Sequence, residues 1–244
     1  MTGVTGGFDS DIGEALLGAF FEFGRAHIDT FNGFASGDVN GRGTGRYTGG
    51  GLLARFDVGT GPFSGMYAEG VWRMGHISTE WHSDDLRDNL NRPADYDLSN
   101  HYYGGHVGLG YMLPLGDMIE ADMYGKFFWL HQSGDSADMN GEIVDFNSVD
   151  SRRLRLGLRL NLTLFDAVTP YVGAAWEHEY SGTARAVAQD FSIPEASLKG
   201  DSGLFELGMS MEPESGPLIF DVALQGSTGE KEGLGGHLSV LYRF

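Results

Sequence analysis

The residues best equipped for chemistry lie in polar stretches between greasy ones. His76, His82, Asp84 and Asp85 crowd one segment. A carboxylate beside an imidazole can activate water for attack on a peptide bond. That work needs both groups within reach of one reacting atom, and clustering along a chain does not establish it; acidic stretches of this kind are also ordinary solvated surface. Asp135, Asp138, Glu142 and Asp145 are hard oxygen donors of the type calcium takes, yet they lack the spacing of a calcium-binding loop. The glycine-rich run 41–51 is followed by no Gly-Lys-Ser/Thr, so it is not a phosphate loop. Its glycines suit the close approach of a neighbouring ring, or a bend. With Cys 0 there is no thiolate metal site, cysteine nucleophile or disulfide. No catalytic, cofactor or metal site is assigned.

The remaining charged residues are distributed by period rather than by cluster. Residues 153–164 read R-L-R-L-G-L-R-L-N-L-T-L, with leucines from Leu154 to Leu164 alternating with Arg153, Arg155, Gly157, Arg159, Asn161 and Thr163. A strand sends successive side chains to opposite faces, so this segment has one leucine face and one polar, positive face. In a soluble sandwich the leucines would pack on a second sheet. In an outer-membrane barrel they would meet lipid, and the polar face would line a lumen.

The same alternation recurs along the chain. Residues 1–13 are rich in Gly, Thr and Asp and read as a turn. About ten strands of roughly ten to fifteen residues follow, long enough to cross a bilayer at a tilt. They are expected near 14–28, 46–58, 63–79, 101–113, 118–132, 153–164, 170–180, 202–211, 217–225 and 234–244. Long polar connections (29–45, 80–99, 133–150, 181–201) alternate with short ones. Outer-membrane barrels segregate their loops in this way, and counting parity puts both chain ends on the periplasmic side. The expected inward residues are Glu22, Arg55, Glu69, Arg73, Glu120, Asp122, Lys126, Arg155, Arg159, Glu177, Glu179, Glu206 and Asp221. Burying such a set in a dry core would cost several kcal/mol per ion unless paired, about what a hydrated lumen removes. Tyr47, Tyr102, Tyr103, Trp129, Tyr180, Tyr242 and Phe244 lie near strand ends, as interfacial aromatic girdles do.

The totals agree. A net charge of -18 and a pI near 4.6 argue against nucleic-acid binding. Gly 39 with Pro 7 suits a barrel with tight turns. There is no apolar run long enough for a transmembrane helix. No basic-then-apolar leader follows Met1, so an exported chain is expected to have its natural start upstream.

On G-A-F-F-E-F-G (18–24), Y-T-G-G-G-L-L-A-R (47–55), Y-Y-G-G-H-V-G-L-G-Y (102–111), D-M-Y-G-K-F-F-W (122–129), S-R-R-L-R-L-G-L-R (151–159), Y-V-G-A-A-W-E-H-E-Y (171–180) and the terminal L-Y-R-F, the chain resembles the C-terminal translocator barrel of type V autotransporters. The order of these stretches across nearly the whole chain carries the resemblance. It implies an antiparallel transmembrane β-barrel of about twelve strands that anchors a passenger and helps it reach the cell surface, with a helix threading the lumen. Against that pattern, residues 1–244 are expected to be one barrel domain lacking the passenger, the lumen helix and a first hairpin. The resemblance implies outer-membrane lipid, the barrel-assembly machinery and the chain's own passenger as partners. It also makes Tyr242 and Phe244 a C-terminal assembly signal; the plainer reading is an ordinary lipid-facing strand end. Arg155 and Arg159 beside Glu177 and Glu179 form either a charged wall for the threading segment or a structural network. The alternatives in function are a self-standing ten-stranded pore and an omptin-like surface protease built on His82 and Asp84.

Overall fold

The computed structural model describes residues 1–34, 37–163, 167–189, 191–213 and 216–243. Its strands, in chain order, are β1 (Thr2–Ser10), β2 (Gly13–Phe34), β3 (Gly37–Val58), β4 (Met66–Arg87), β5 (Pro93–Pro114), β6 (Ile119–Gln132), β7 (Asp135–Met139), β8 (Glu142–Phe146) and β9 (Val149–Leu162). They continue as β10 (Val168–Glu179), β11 (Thr183–Ala184), β12 (Ala186–Ala188), β13 (Phe191–Ser192), β14 (Ala196–Ser197), β15 (Gly200–Met211), β16 (Leu218–Gly229) and β17 (Gly233–Tyr242). Eleven of them form one curled antiparallel sheet in the order β1-β2-β3-β4-β5-β6-β9-β10-β15-β16-β17. Each strand pairs with the next along the chain, as hairpin connections require.

The alternation read from the sequence sets the two faces. Leu17, Phe21, Leu52, Trp72, Leu109, Leu207 and Leu238 lie on the outer face, and Leu238 keeps 72% of its surface exposed. An apolar belt of this extent on a water-soluble protein would be an aggregation surface; against lipid it costs nothing. The inner face holds the most deeply buried large side chains, including Tyr67, Tyr102, Tyr171 and Glu177.

Three expectations are corrected. Residues 1–13 are not simply a turn: Thr2–Ser10 is a strand in register with β2, from Thr2 opposite Phe21 to Ser10 opposite Gly13. Its glycines disguise an alternation in which Val4 and Phe8 lie outward, in line with Ala19 and Ala15. The extra strand lifts Thr2 up the wall, so Tyr242 lies at the short-turn side and the N-terminal end does not.

Nor are the long connections loops throughout. The β2–β3 ladder runs unbroken from Gly13↔Val58 to Phe34↔Gly37, and β4–β5 continues to Arg87↔Pro93 past a register shift. Glycines at 41–45 mask this extension in the sequence. Gly41 is needed because a Cβ there would overlap the Trp81 ring. Beyond the wall, β13-β12-β8-β7 make a small sheet over the extended hairpins, and β11 pairs with β14. Trp81 stacks on Tyr96 at 5.3 Å, and Tyr96 meets Phe146 at 5.2 Å. Ala94, Ala137 and Val144 are buried alongside. Residues 35–36, 164–166, 190, 214–215 and 244 lie outside the described residues, among them Leu164 of the leucine strand and Phe244 of the C-terminal signal.

The girdle assignment is corrected at two positions. Tyr47 shares the inner face with Gly49 and Arg55, over Gly24. Tyr102 is buried there and donates to Glu22 Oε1 at 2.6 Å. Tyr103 and Tyr180 are exposed, as is Tyr242.

Candidate functional site

Strand period places the thirteen charged residues on one face, and the ladder register decides which of them meet. On β2–β6, Arg73 donates to Glu22 Oε2 at 3.3 Å, beside the Tyr102 bond to the same carboxylate. Arg55 forks onto Asp57 at 2.6–3.1 Å, lies 3.8 Å from Glu69 and covers the Tyr67 ring at 3.9 Å. Glu69 also takes Lys126 Nζ at 2.5 Å and His106 Nε2 at 3.1 Å. Tyr67 donates to Asp122 at 2.8 Å.

On β6–β17 the pattern repeats. Asn161 donates to Glu120 at 3.2 Å. Arg155 donates through two nitrogens to Glu177 Oε2 at 3.0 and 2.7 Å, while Lys231 donates to Glu177 Oε1 at 2.8 Å. Arg153 approaches the same carboxylate at 3.6 Å and Glu179 at 3.7 Å. Glu179 accepts from Ser151 Oγ at 2.7 Å and the Arg152 amide at 2.9 Å. Arg159 forks onto Glu206 at 2.6 and 3.0 Å, over the Tyr171 ring at 4.5 Å. Tyr171 donates to Asp221 at 3.0 Å, and His237 Nε2 lies 2.6 Å from the same oxygen. Arg159 therefore partners Glu206 rather than Glu179.

The inward set expected from the sequence leaves out Arg153, Lys231, His106 and His237, and it counts Tyr102 to the aromatic girdle. Arg153 had a signal, since it shares the parity of Arg155 and Arg159. Lys231 had none, because it sits in a turn where strand period gives no face. Glycines on this face receive the rings: a Cβ on Gly110, Gly157 or Gly208 would overlap Tyr67, Tyr124 or Tyr171.

The candidate chemistry on the extended end does not converge. His82 Nε2 lies 3.3 Å from Asp84, both well exposed. Asp85 instead accepts from the Asn40 amide and side chain at 2.9 and 3.0 Å, and the amide bond above all holds its carboxyl below the usual range. His76 turns to Ser99 Oγ at 3.1 Å. At the β4–β5 tip, Asp88 is held low first by the Arg92 amide. Burial raises the Tyr96 hydroxyl. The four acidic residues weighed for calcium lie on β7 and β8, and each accepts a hydrogen bond from another group. Asp135 accepts from the Ser99 amide at 2.8 Å, Asp138 from Gly141 at 2.5 Å and Asp145 from Ser136 Oγ at 2.5 Å; Glu142 accepts from Gln189. Among the described residues no His, Asp and Glu grouping could hold a metal ion.

A family model for the autotransporter beta-domain matches residues 1–216. The transport unit of the autotransporter AIDA-I from Escherichia coli is similar in structure, with TM-score 0.71 at 16% identity, covering 98% of this chain and 80% of that one. The β domain of the Bordetella autotransporter BrkA gives TM-score 0.73 at 16% identity, over 99% and 88%. In sequence, the uncharacterised protein YaiT of Salmonella typhimurium is 31% identical over 134 residues, 52% of this chain and 14% of that protein. The chain thus spans a small part of this curated relative.

Proposed function

The chain belongs to the autotransporter β-domain family, outer-membrane barrels of type V secretion, and from that premise we propose that its ion-paired inner face is the surface along which its own passenger is threaded and then held. The observation that carries this is the pairing itself. The thirteen charges face one way, and ion pairs run from strand to strand, among them Arg155 to Glu177 and Arg159 to Glu206. Charges satisfied within the wall offer a passing polypeptide a wet polar surface without a deep electrostatic trap. The long strand extensions face the cell exterior and the short turns the periplasm. Lipid meets the leucine face. The barrel-assembly machinery reads the C-terminal strand, with Tyr242 and Phe244 as its aromatic signal.

No step of this role is catalytic. Substituting His82 and Asp84 is expected to leave peptide cleavage by cells unchanged; cleavage that depends on them would favour the omptin-like alternative. The direct test is export by the native protein carrying R155Q/R159Q, followed by protease shaving of intact cells. Slower surface appearance of the passenger is expected, with heat-modifiable gel mobility of the barrel retained. Unchanged export kinetics would assign the network to structure alone.

A further inference from the structure

On the outer face each strand's apolar stripe ends at a definite residue. Toward the extended ends, the first polar side chain beyond the stripe is basic on six strands: Arg25 on β2, His76 on β4, His101 on β5, His131 on β6, Arg152 on β9 and His178 on β10. Toward the short turns the stripes run out on Met66, Leu113, Leu162, Leu218 and Tyr242, and among the described residues no Lys, Arg or His takes the corresponding place. Snorkelling alone would suit both interfaces equally. The asymmetry calls for something anionic on one side only.

Register sharpens the point. Arg25 stands directly opposite Arg46, and His76 directly opposite His101 with ring centroids 5.2 Å apart. Two arginines facing each other across strands, as Arg25 and Arg46 do, are destabilising unless a counter-charge joins them. His131 and His178 have their own carboxylates, Asp150 at 2.9 Å and Asp201 at 2.8 Å. Among the described residues, Arg46 has only an exposed, long contact to Glu80 at 3.7 Å. Hydroxyls of Thr48, Ser78 and Ser99 occupy neighbouring outward positions. An oxyanion between Arg25 and Arg46 would replace repulsion with charge-assisted hydrogen bonds, the geometry guanidinium groups favour for phosphate.

We propose that the outward patch Arg25, Arg46, His76 and His101 is a docking site for the phosphorylated headgroup of an outer-leaflet lipid. The proposal rests on the outer-membrane reading and on the extended ends facing outward. Its depth argues for a lipid source: Arg25 follows Phe23, which is 61% exposed on the lipid-facing stripe, and His101 lies just beyond Tyr103. A phosphate anchored at the membrane surface meets the patch at that level.

The test uses the native protein extracted in mild detergent, stripped of lipid, and titrated in native mass spectrometry with diphosphorylated lipid A, with dephosphorylated lipid A, and with inorganic phosphate alone. The phosphorylated lipid is expected to bind, and R25Q/R46Q to weaken it about tenfold. R87Q, on the outer extension where Arg87 donates to the Asn91 carbonyl, is expected to change nothing. R25K/R46K keeps the charge without the fork and is expected to fall between, which gives a readout even if the glutamine variant folds poorly. Equal binding of the dephosphorylated lipid, or indifference to both double variants, would overturn the proposal. Displacement by inorganic phosphate would make the patch a free-anion site and overturn the lipid assignment. Heat-modifiable mobility of the wild-type protein is read in the same samples, and its loss would count against the barrel reading instead.

Discussion

Glu177 carries one negative charge and receives Arg155, Lys231 and Arg153 while only 2% of its surface is exposed. Removing it leaves Arg155 without its carboxylate and leaves Arg153 and Lys231 with Glu179 alone, at 3.7 and 3.8 Å. Breaking a buried ion pair from one side costs about 3–5 kcal/mol, and water in the lumen brings Glu177→Ala toward the lower figure. The Arg46–Glu80 pair is a matched control, because both side chains are more than half exposed. Glu80→Ala is expected to change stability by less than about 1 kcal/mol. Urea midpoints of the two variants in detergent measure the contrast, and equal midpoints would mean that the lumen screens Glu177 as water screens Glu80. Glycine gives a second comparison. A Cβ at Gly157 overlaps the Tyr124 ring, whereas one at Gly235 meets nothing within 4 Å. Gly157→Ala is expected to cost about 1–3 kcal/mol by displacing the ring. Gly235→Ala should be neutral or stabilising by less than about 1 kcal/mol. The same urea titration separates them.

At the scale of elements, the membrane wall was legible in the sequence and its outward extensions were not. Period two marks Leu154–Leu162 because every second residue is leucine, and it marks the inner face because Arg155 and Arg159 fall between. The signal fails where glycine replaces the side chains that would show it. Thr2–Ser10 carries only Val4 and Phe8 as large outward groups, and residues 41–45 have no apolar side chain. Partners were legible only within a strand's face. The Arg159–Glu206 bond depends on the β9–β10 and β10–β15 registers together, which no single strand encodes. The small outer sheet was missed because its strands are two to five residues long and its core is assembled from distant segments. That core makes a prediction. Phe146 joins β8 to Tyr96 on β5, so Phe146→Ala is expected to cost about 2 kcal/mol locally. Hydrogen exchange should speed up in β7, β8 and β12 while amides of β9 and β10 keep their protection. Loss of protection throughout the wall would show that the outer sheet and the barrel form one cooperative unit.

For the whole molecule, the open question of chemistry is how the sheet closes. Its two edge strands are β1 and β17, and eleven antiparallel neighbours in sequence order make those edges run in the same direction. An antiparallel barrel closes on an even number, and unpaired backbone groups are not tolerated in lipid. We therefore expect one further strand of the native protein to lie between β1 and β17, bonding both. The alternative is direct parallel pairing of the two edges. The two closures differ in distance. Neighbouring strands are about 4.8 Å apart, so one intervening strand separates the edges by about 9.6 Å. Disulfides need Cα atoms within about 7 Å. Residues 1–244 hold no cysteine, so no thiol of this sheet competes with the engineered pairs. Val4→Cys is combined in turn with Leu234→Cys, Leu238→Cys and Val240→Cys, outward positions spread along β17 so that the unknown stagger is sampled. Val4→Cys with Ala19→Cys, registered partners on β1 and β2, is the positive control. In the native protein oxidised in its membrane, the control is expected to cross-link and every edge-to-edge pair to remain reduced. A disulfide between β1 and β17 would mean that the eleven strands close on themselves, and the additional strand would have no place in the wall.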